Sequence, residues 1–296
     1  MTMENGCVRD MEKTMTAMEE GTTDMETTTM DNKEVTKDME QGLPKVGRYE
    51  MWAESFHCDF KHRLQMGHLG NDMLNAADFH STDRMFGMRY LNTLNKTWVL
   101  SRLCIDMEEM PEQYSQFFIE TWVESAMRYF TRRNFRIEDK ASGRALGYGK
   151  SVWALIDLTT RQPTDILSVN NGDIMKWVEE DKECPIESPG RVKMGDNARL
   201  VRSVPTYYSD VDVNGHINSI RYIEHILDIF PIECFRSQRL RRFDIAYVAE
   251  SYYGDTLNYY LDEKTEQEMM IRITKVSEKE EKEVEVVRCV MKFEKE

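Results

Sequence analysis

The segment Ser209-Asp210-Val211-Asp212-Val213-Asn214-Gly215-His216-Ile217-Asn218 presents a carboxylate, a carboxamide and an imidazole at two-residue steps. An apolar run with helical spacing follows directly. In an extended turn alternate residues point the same way, so Asp212, Asn214 and His216 can line one cleft. A helix start adds unpaired backbone N–H groups, beginning near Ile217, and a partial positive charge. Such donors suit the oxyanion formed when a carbonyl is attacked, and each is worth about 10²–10³ in rate. The same residue types also cap helices, so spacing alone supports a structural reading as well as a chemical one.

Elements that could carry this loop recur twice along the chain. Residues 49–58 alternate as a strand, and 67–86 place Leu69, Met73, Ala76, Ala77 and Phe79 near helical spacing. Strand-like runs follow at Lys96–Met107, with Val99, Ser101, Leu103, Ile105 and Met107 on one face, and at Gln116–Glu124, with Phe117, Ile119, Thr121 and Val123. Two more are expected at Met127–Glu138 and Ser151–Leu158, the last with Val152, Ala154, Ile156 and Leu158 inward. Residues 161–196 carry Pro163, Pro185 and Pro189 and read as a connector with a short helix near Ile174–Glu180. A strand at Ala198–Tyr207, a helix at Ile217–Phe230 and strands at Leu240–Glu250, Thr256–Asp262, Glu268–Val276 and Glu283–Phe293 repeat the order. Gly67-His68-Leu69 even echoes Gly215-His216-Ile217. An antiparallel sheet and one apolar helix cover each other's inner faces, which gives an α+β unit. Two in tandem leave a crevice where they meet.

Composition narrows the partners. The formal net charge is −14, and residues 1–40 contribute eleven acidic and only four basic side chains. Without a dominant cationic surface, nucleic acid is not an expected partner. Residues 1–47 are nearly all Met, Thr, Glu, Asp and Lys, so they read as a disordered acidic tail. Six scattered cysteines without a CxxC pair suit reduced thiols in a cytoplasm. No run approaches the 18–20 or so apolar residues of a membrane span, and no secretory or transit signal opens the chain.

Asp212-Val213-Asn214-Gly215-His216-Ile217-Asn218-Ser219-Ile220-Arg221-Tyr222 closely resembles the D-x-N-x-H-x-N-N-x-x-Y signature of the acyl-ACP thioesterases. Trp98-Val99-Leu100-Ser101-Arg102, Glu120-Thr121-Trp122-Val123, Ser151-Val152-Trp153-Ala154-Leu155 and Asp157-Leu158-Thr159-Thr160-Arg161 resemble further segments of that family, in order, over residues 48–262. The resemblance implies a bacterial, cytoplasmic double hotdog enzyme that releases fatty acid from acyl carrier protein. It implies an N-terminal hotdog at 48–160 holding the acyl chain, a linker at 161–196 and a C-terminal hotdog at 197–296 holding the catalytic residues. Closed tandem hotdogs often pair further, so a homodimer is expected too.

Carried over residue by residue, the resemblance makes Asp212, Asn214 and His216 the loop triad and places Glu250, in Tyr247-Val248-Ala249-Glu250, in the site. By itself Glu250 is an acid at a strand end, more often solvated than catalytic. Relatives commonly carry cysteine after that glutamate, whereas this chain has Ser251, whose hydroxyl ionises far less readily than a thiol. Water activated by Glu250 or Asp212 is therefore the favoured route, and a Ser251–His216–Asn214 acyl-enzyme route the lesser one. No cofactor or metal is called for. An acyl-CoA thioesterase or a non-catalytic acyl-binding hotdog are the rival readings.

Other signals weigh less. Gly147-Tyr148-Gly149-Lys150-Ser151 ends like a phosphate loop, but Arg144 stands where its first glycine belongs. His57, His62, His68 and His80 lack a sustained metal-ligand spacing. The basic runs Arg128, Arg132, Arg133, Arg136 and Arg236, Arg239, Arg241, Arg242 are candidate docking patches for an acidic carrier protein.

Overall fold

A computed structural model describes residues 42–295 apart from 191, 193, 195, 196, 278 and 279. The expectation of a disordered tail falls almost wholly outside the described residues. At its edge, Pro44 and Lys45 are tied down, their carbonyls accepting from Arg84 Nη2 at 2.5 Å and from His80 Nε2 at 2.9 Å.

The element order is the expected repeat. The first half runs β1 (Gly47–Trp52), α1 (Met66–Asp83), α2 (Met88–Thr93), β2 (Lys96–Met107), β3 (Gln116–Ala126), β4 (Phe130–Asp139) and β5 (Ala145–Asp157). The second half runs β6 (Arg199–Pro205), α3 (Ser219–Leu227), α4 (Ile232–Ser237), β7 (Gln238–Tyr247), β8 (Thr256–Glu263), β9 (Glu268–Ser277) and β10 (Glu280–Lys295). All ten strands join one antiparallel sheet, ordered β1-β3-β4-β5-β2-β7-β10-β9-β8-β6. The second half of that list repeats the first in mirror order about the β2–β7 seam, where Arg102 to Asp106 pair with Ala246 to Arg242. The arrangement is the tandem α+β hotdog.

Each helix lies on the sheet because its apolar residues recur every three or four positions. In α1 the buried stripe is Leu69, Met73, Ala76, Ala77 and His80, and in α3 it is Ile220, Ile223 and Ile226. One continuous core spans both halves. The two helices touch where α1 is smallest. A Cβ at Gly67 would stand 2.8 Å from Glu224 Cγ, and one at Gly70 would stand 3.1 Å from Ile220 Cδ1. The helix expected at 217–230 is shorter. It starts after Asn218, whose side chain accepts from Ile220 N at 2.9 Å, and ends before Pro231.

Two faces differ from the expected alternation. In β2 a bulge at Ser101 shifts the frame, so Leu100 rather than Val99 or Ser101 joins Leu103, Ile105 and Met107 in the core. In β5 full burial falls on Ser151 and Leu155, and Leu158 is exposed. The inward set expected there, Val152, Ala154, Ile156 and Leu158, is thus mostly the other face. The connector explains why that face stays apolar, because it runs across the outer side of the sheet. Its Val178 bridges Val123, its Lys182 pairs with Glu120 at 3.0 Å and covers Trp122, and the carbonyls of Glu187, Pro189 and Val192 accept from Arg242, Arg102 and Arg288. The short helix expected at 174–180 is instead a pair of 3-10 turns at Ile166–Trp177, broken where Asn170 and Asn171 turn left-handed.

Candidate active site

The loop ahead of α3 is built by one carboxylate. Asp212 Oδ1 accepts from Asn214 N at 2.8 Å and from His216 N at 3.2 Å. Asp212 N donates to His216 O at 2.8 Å, and Gly215 N donates to Asp212 O at 3.0 Å. Gly215 carries the left-handed turn this closure requires, with φ of +79°. The result aims the Asn214 and His216 side chains at a cavity of about 790 Å³, which Asp212 and Glu250 also line. The structure therefore brings all four of these residues to one wall.

Glu250 enters from the loop after β7. His216 Nδ1 lies 3.6 Å from its Oε1, Tyr252 donates to its Oε2 at 3.2 Å, and Arg161 forms an ion pair with it. The Tyr252 ring meets the His216 ring edge-on with centroids 5.2 Å apart. Arg161 and Tyr252 are neighbours of Glu250 that the sequence reading does not include in the site. Tyr252 stands two residues from Glu250, the alternate-residue step that put Asn214 with Asp212. Arg161 comes from the first half, where it closes the segment 157–161 that carries part of the family resemblance, but nothing local links it to Glu250.

Two expected roles do not fit this geometry. Ile217 N–H already donates to the Ser251 carbonyl at 2.9 Å, so it has no hydrogen left for an oxyanion. Ser251 is buried at 1% exposure and is not part of the cavity wall. Its hydroxyl neighbours the buried Tyr222 phenol, whose pKa burial raises, so it lies behind the cavity lining rather than in it.

Second-half residues such as Tyr222 and Tyr247 continue this wall, and most of the rest of the cavity is lined by the first half. Leu74, Ala77, Phe86, Val99, Leu100, Val123 and Trp153 give it an apolar wall, and Asp78, Ser81, Thr131 and Arg133 give it a polar end. Arg133 is buried and donates to Thr121 Oγ1 at 3.1 Å and to Ser81 Oγ at 3.0 Å. Burial pushes its guanidinium down to about 9. Burial also takes neighbouring His80 down to about 2, with Arg133 and Arg84 adding to the effect.

The arginine runs do not form two free basic patches. Arg133 is interior, and Arg136 is paired with Glu120 and Glu138. Arg241 and Arg242 meet Asp106 at 2.8 and 3.2 Å, Arg242 also meets Asp244 at 2.7 Å, and Arg239 meets Glu294 at 2.5 Å. Arg128 pairs with Asp165 at 3.2 Å, and Arg132 stays exposed. Apart from Arg136–Glu138 and Arg242–Asp244, which lie two residues apart on one strand, these acids come from other segments, a pairing that linear reading does not contain. The histidines are likewise occupied, with His57 stacked on His68 and His62 Nδ1 hydrogen-bonded to Gln113 Oε1 at 2.8 Å. The phosphate-loop echo lies inside β5. No helix among the described residues is long and apolar enough to cross a membrane.

Both halves of the chain match known proteins. Residues 45–170 match the profile of the acyl-ACP thioesterase N-terminal domain, and 195–294 match that of its C-terminal domain. The chain is 49% identical to an acyl-ACP thioesterase from Bacteroides thetaiotaomicron of known structure, over 84% of this chain and 98% of that one, with a TM-score of 0.78. A 12:0-ACP thioesterase from Umbellularia californica shares the fold, with a TM-score of 0.74 at 19% identity over 86% and 99% of the two chains. A chloroplastic palmitoyl-acyl carrier protein thioesterase of Arabidopsis thaliana is 29% identical over 188 residues, which are 62% of this chain and 44% of that protein. The chain thus spans about half the length of the curated relatives it matches.

Proposed function

The chain belongs to the acyl-ACP thioesterase family, and from that membership we propose that it hydrolyses the thioester between a fatty acyl chain and acyl carrier protein. The acyl chain lies in the first-half cavity, and its thioester carbon faces the loop 212–216 and Glu250. Glu250 is the general base. The observation that carries this assignment is the division of labour between two carboxylates. Both carboxylates line the cavity, but Asp212 spends Oδ1 on two backbone N–H groups of its own loop, whereas Glu250 is held by the side chains of Arg161 and Tyr252 and stands beside His216 Nδ1.

In the reaction Glu250 takes a proton from water as the water oxygen attacks the thioester carbon, a role worth about 10²–10⁴ in rate. With Ile217 N–H engaged, the Asn214 carboxamide is the donor for the carbonyl oxygen as it becomes an oxyanion. Collapse of the tetrahedral adduct breaks the C–S bond. His216 relays the proton from Glu250 to the departing thiolate, which leaves free fatty acid and carrier thiol.

The test is thiol release on acyl-carrier-protein and acyl-CoA esters of several matched chain lengths, with Glu250→Ala alongside. Faster hydrolysis of the carrier-protein esters, lost in the variant, supports the reading. Equal or faster turnover of the CoA esters transfers the activity to the other handle, and no turnover with acyl binding intact makes the protein a binder.

A further inference from the structure

The base of this site is held by a residue from the opposite half. Arg161 follows β5, and its side chain forms an ion pair with Glu250 at the cavity wall. The turn that presents it is tightly made. Asp157 Oδ1 accepts from Thr159 N at 2.9 Å and Thr160 N at 2.7 Å, Asp157 Oδ2 accepts from Asn95 Nδ2 at 3.1 Å, and Arg161 N returns to Asp157 O at 2.9 Å. Those bonds, led by the one from Thr160 N, hold the Asp157 carboxyl below the usual carboxylate range. Arg161 itself sits at φ of +58°, a conformation that a side-chain-bearing residue keeps only where its surroundings over-determine it.

We propose that Arg161 is the positioning residue of the reaction, fixing the Glu250 carboxylate toward His216 and the thioester from across the two halves. A carboxylate has two oxygens and a free rotation to lose. Here one oxygen faces Arg161 and His216 and the other accepts from Tyr252, so its orientation is set on both sides. A planar guanidinium fixes orientation as well as charge, which an ammonium does not. The turn also continues a strand whose Trp153 lines the acyl cavity, so the chain-binding half and the base share one support. Arg161 acts through Glu250, so this inference rests on the base assignment above.

The experiment is a double-mutant cycle on thiol release from acyl carrier protein esters, with Arg161→Gln, Arg161→Lys, Glu250→Gln and the double variant. The expected result is a fall in kcat of about 10- to 100-fold for Arg161→Gln, as a misplaced reacting group produces, with KM changed by less than about threefold. Arg161→Lys recovers part of the rate. In the Glu250→Gln background Arg161→Gln costs less than about twofold more, because the group it positions is already gone. A loss that persists in full in that background, a rate for Arg161→Gln near that of the parent, or no gain from lysine overturns the proposal. Full activity of Glu250→Gln alone overturns the base assignment instead, and the two failures are thereby distinct.

Discussion

The two halves build the same loop, and only one of them arms it. In the first half Asp59 Oδ1 accepts from Lys61 N at 2.8 Å and Arg63 N at 3.1 Å, Asp59 N donates to Arg63 O at 2.8 Å, and His62 N donates to Asp59 O at 3.0 Å. Those bonds repeat the Asp212 loop bond for bond. The bridge Cys58–Leu64 repeats Val211–Ile217, and Leu64 N meets Pro111 O at 2.9 Å just as Ile217 N meets Ser251 O. This register sets Lys61, Arg63 and Met110 where the second half has Asn214, His216 and Glu250. The aspartate is therefore what the loop needs to fold, and the other three residues are the ones to which the proposed chemistry is assigned. A motif scored by residue type alone credits Asp212 with catalysis, whereas the internal copy shows an aspartate building the same loop without the other three residues.

The contrast reverses below the loops. The first half keeps the cavity and the second half fills the matching space with rings. Phe230, Phe235 and Phe293 cluster with centroids 6.0 to 6.5 Å apart. Counted on in the same register, Phe230 falls where α1 has cavity-lining Ala77, and strand pairing matches Phe293 with cavity-lining Trp153. An aspartate and a histidine trade places as well. The second half has Asp210 and His225 at 3.2 Å, and the first has His57 and Asp72 at the same two positions.

The largest expected effects break the loop comparison. His216→Ala and Asn214→Ala should each lose about 10²–10³ in kcat on acyl-carrier-protein esters, while Arg63→Ala and Lys61→Ala keep the parental rate. Next, Phe293→Ala should cost about 3–5 kcal/mol in denaturant unfolding and leave chain-length preference unchanged. Ala77→Phe should do the opposite, shifting the preferred acyl chain shorter in competition assays with little loss of stability. Asp59→Ala should cost about 0.5–2 kcal/mol, the worth of its two loop bonds, with kcat intact.

The smallest expected effect concerns Asp72. Burial lifts its carboxyl to about 6, with His57 pulling it down and Glu54 pushing it up. Between the ordinary carboxylate value of about 4 and about 6, the folded chain holds a proton that the unfolded chain has released. This group therefore makes stability fall as pH rises through that window. Asp72→Asn should gain about 1 kcal/mol near pH 7.5 and nothing near pH 4, read from urea unfolding at both.

Much of the architecture was legible because strands and helices announce themselves by period. Lys96–Met107 was placed to the residue, and the doubled order of elements gave the tandem fold. What failed depended on partners distant in the chain. The Ser101 bulge and the inverted face of β5 follow from the strand alongside and the connector overhead. The Gly67-His68 echo was misleading, since those residues lie inside α1 and Gly215 is matched by His62, another left-handed turn with φ of 60°. The meeting of Asp212, Asn214, His216 and Glu250 was foreseen through family resemblance. Arg161 and the engagement of Ile217 N–H were not, because both depend on how the Ser251 and Asp157 turns come to rest beside the loop.

The central claim, that Asp212 builds the loop while Glu250 does the chemistry, is tested most directly by comparing kcat for Glu250→Gln and Asp212→Asn on one acyl-carrier-protein ester. Asparagine keeps the oxygen that accepts from Asn214 and His216, so Asp212→Asn is expected to stay within about tenfold of the parent, and Glu250→Gln to fall by about 10²–10⁴. The reverse order, with Asp212→Asn inactive and Glu250→Gln near the parental rate, would contradict it.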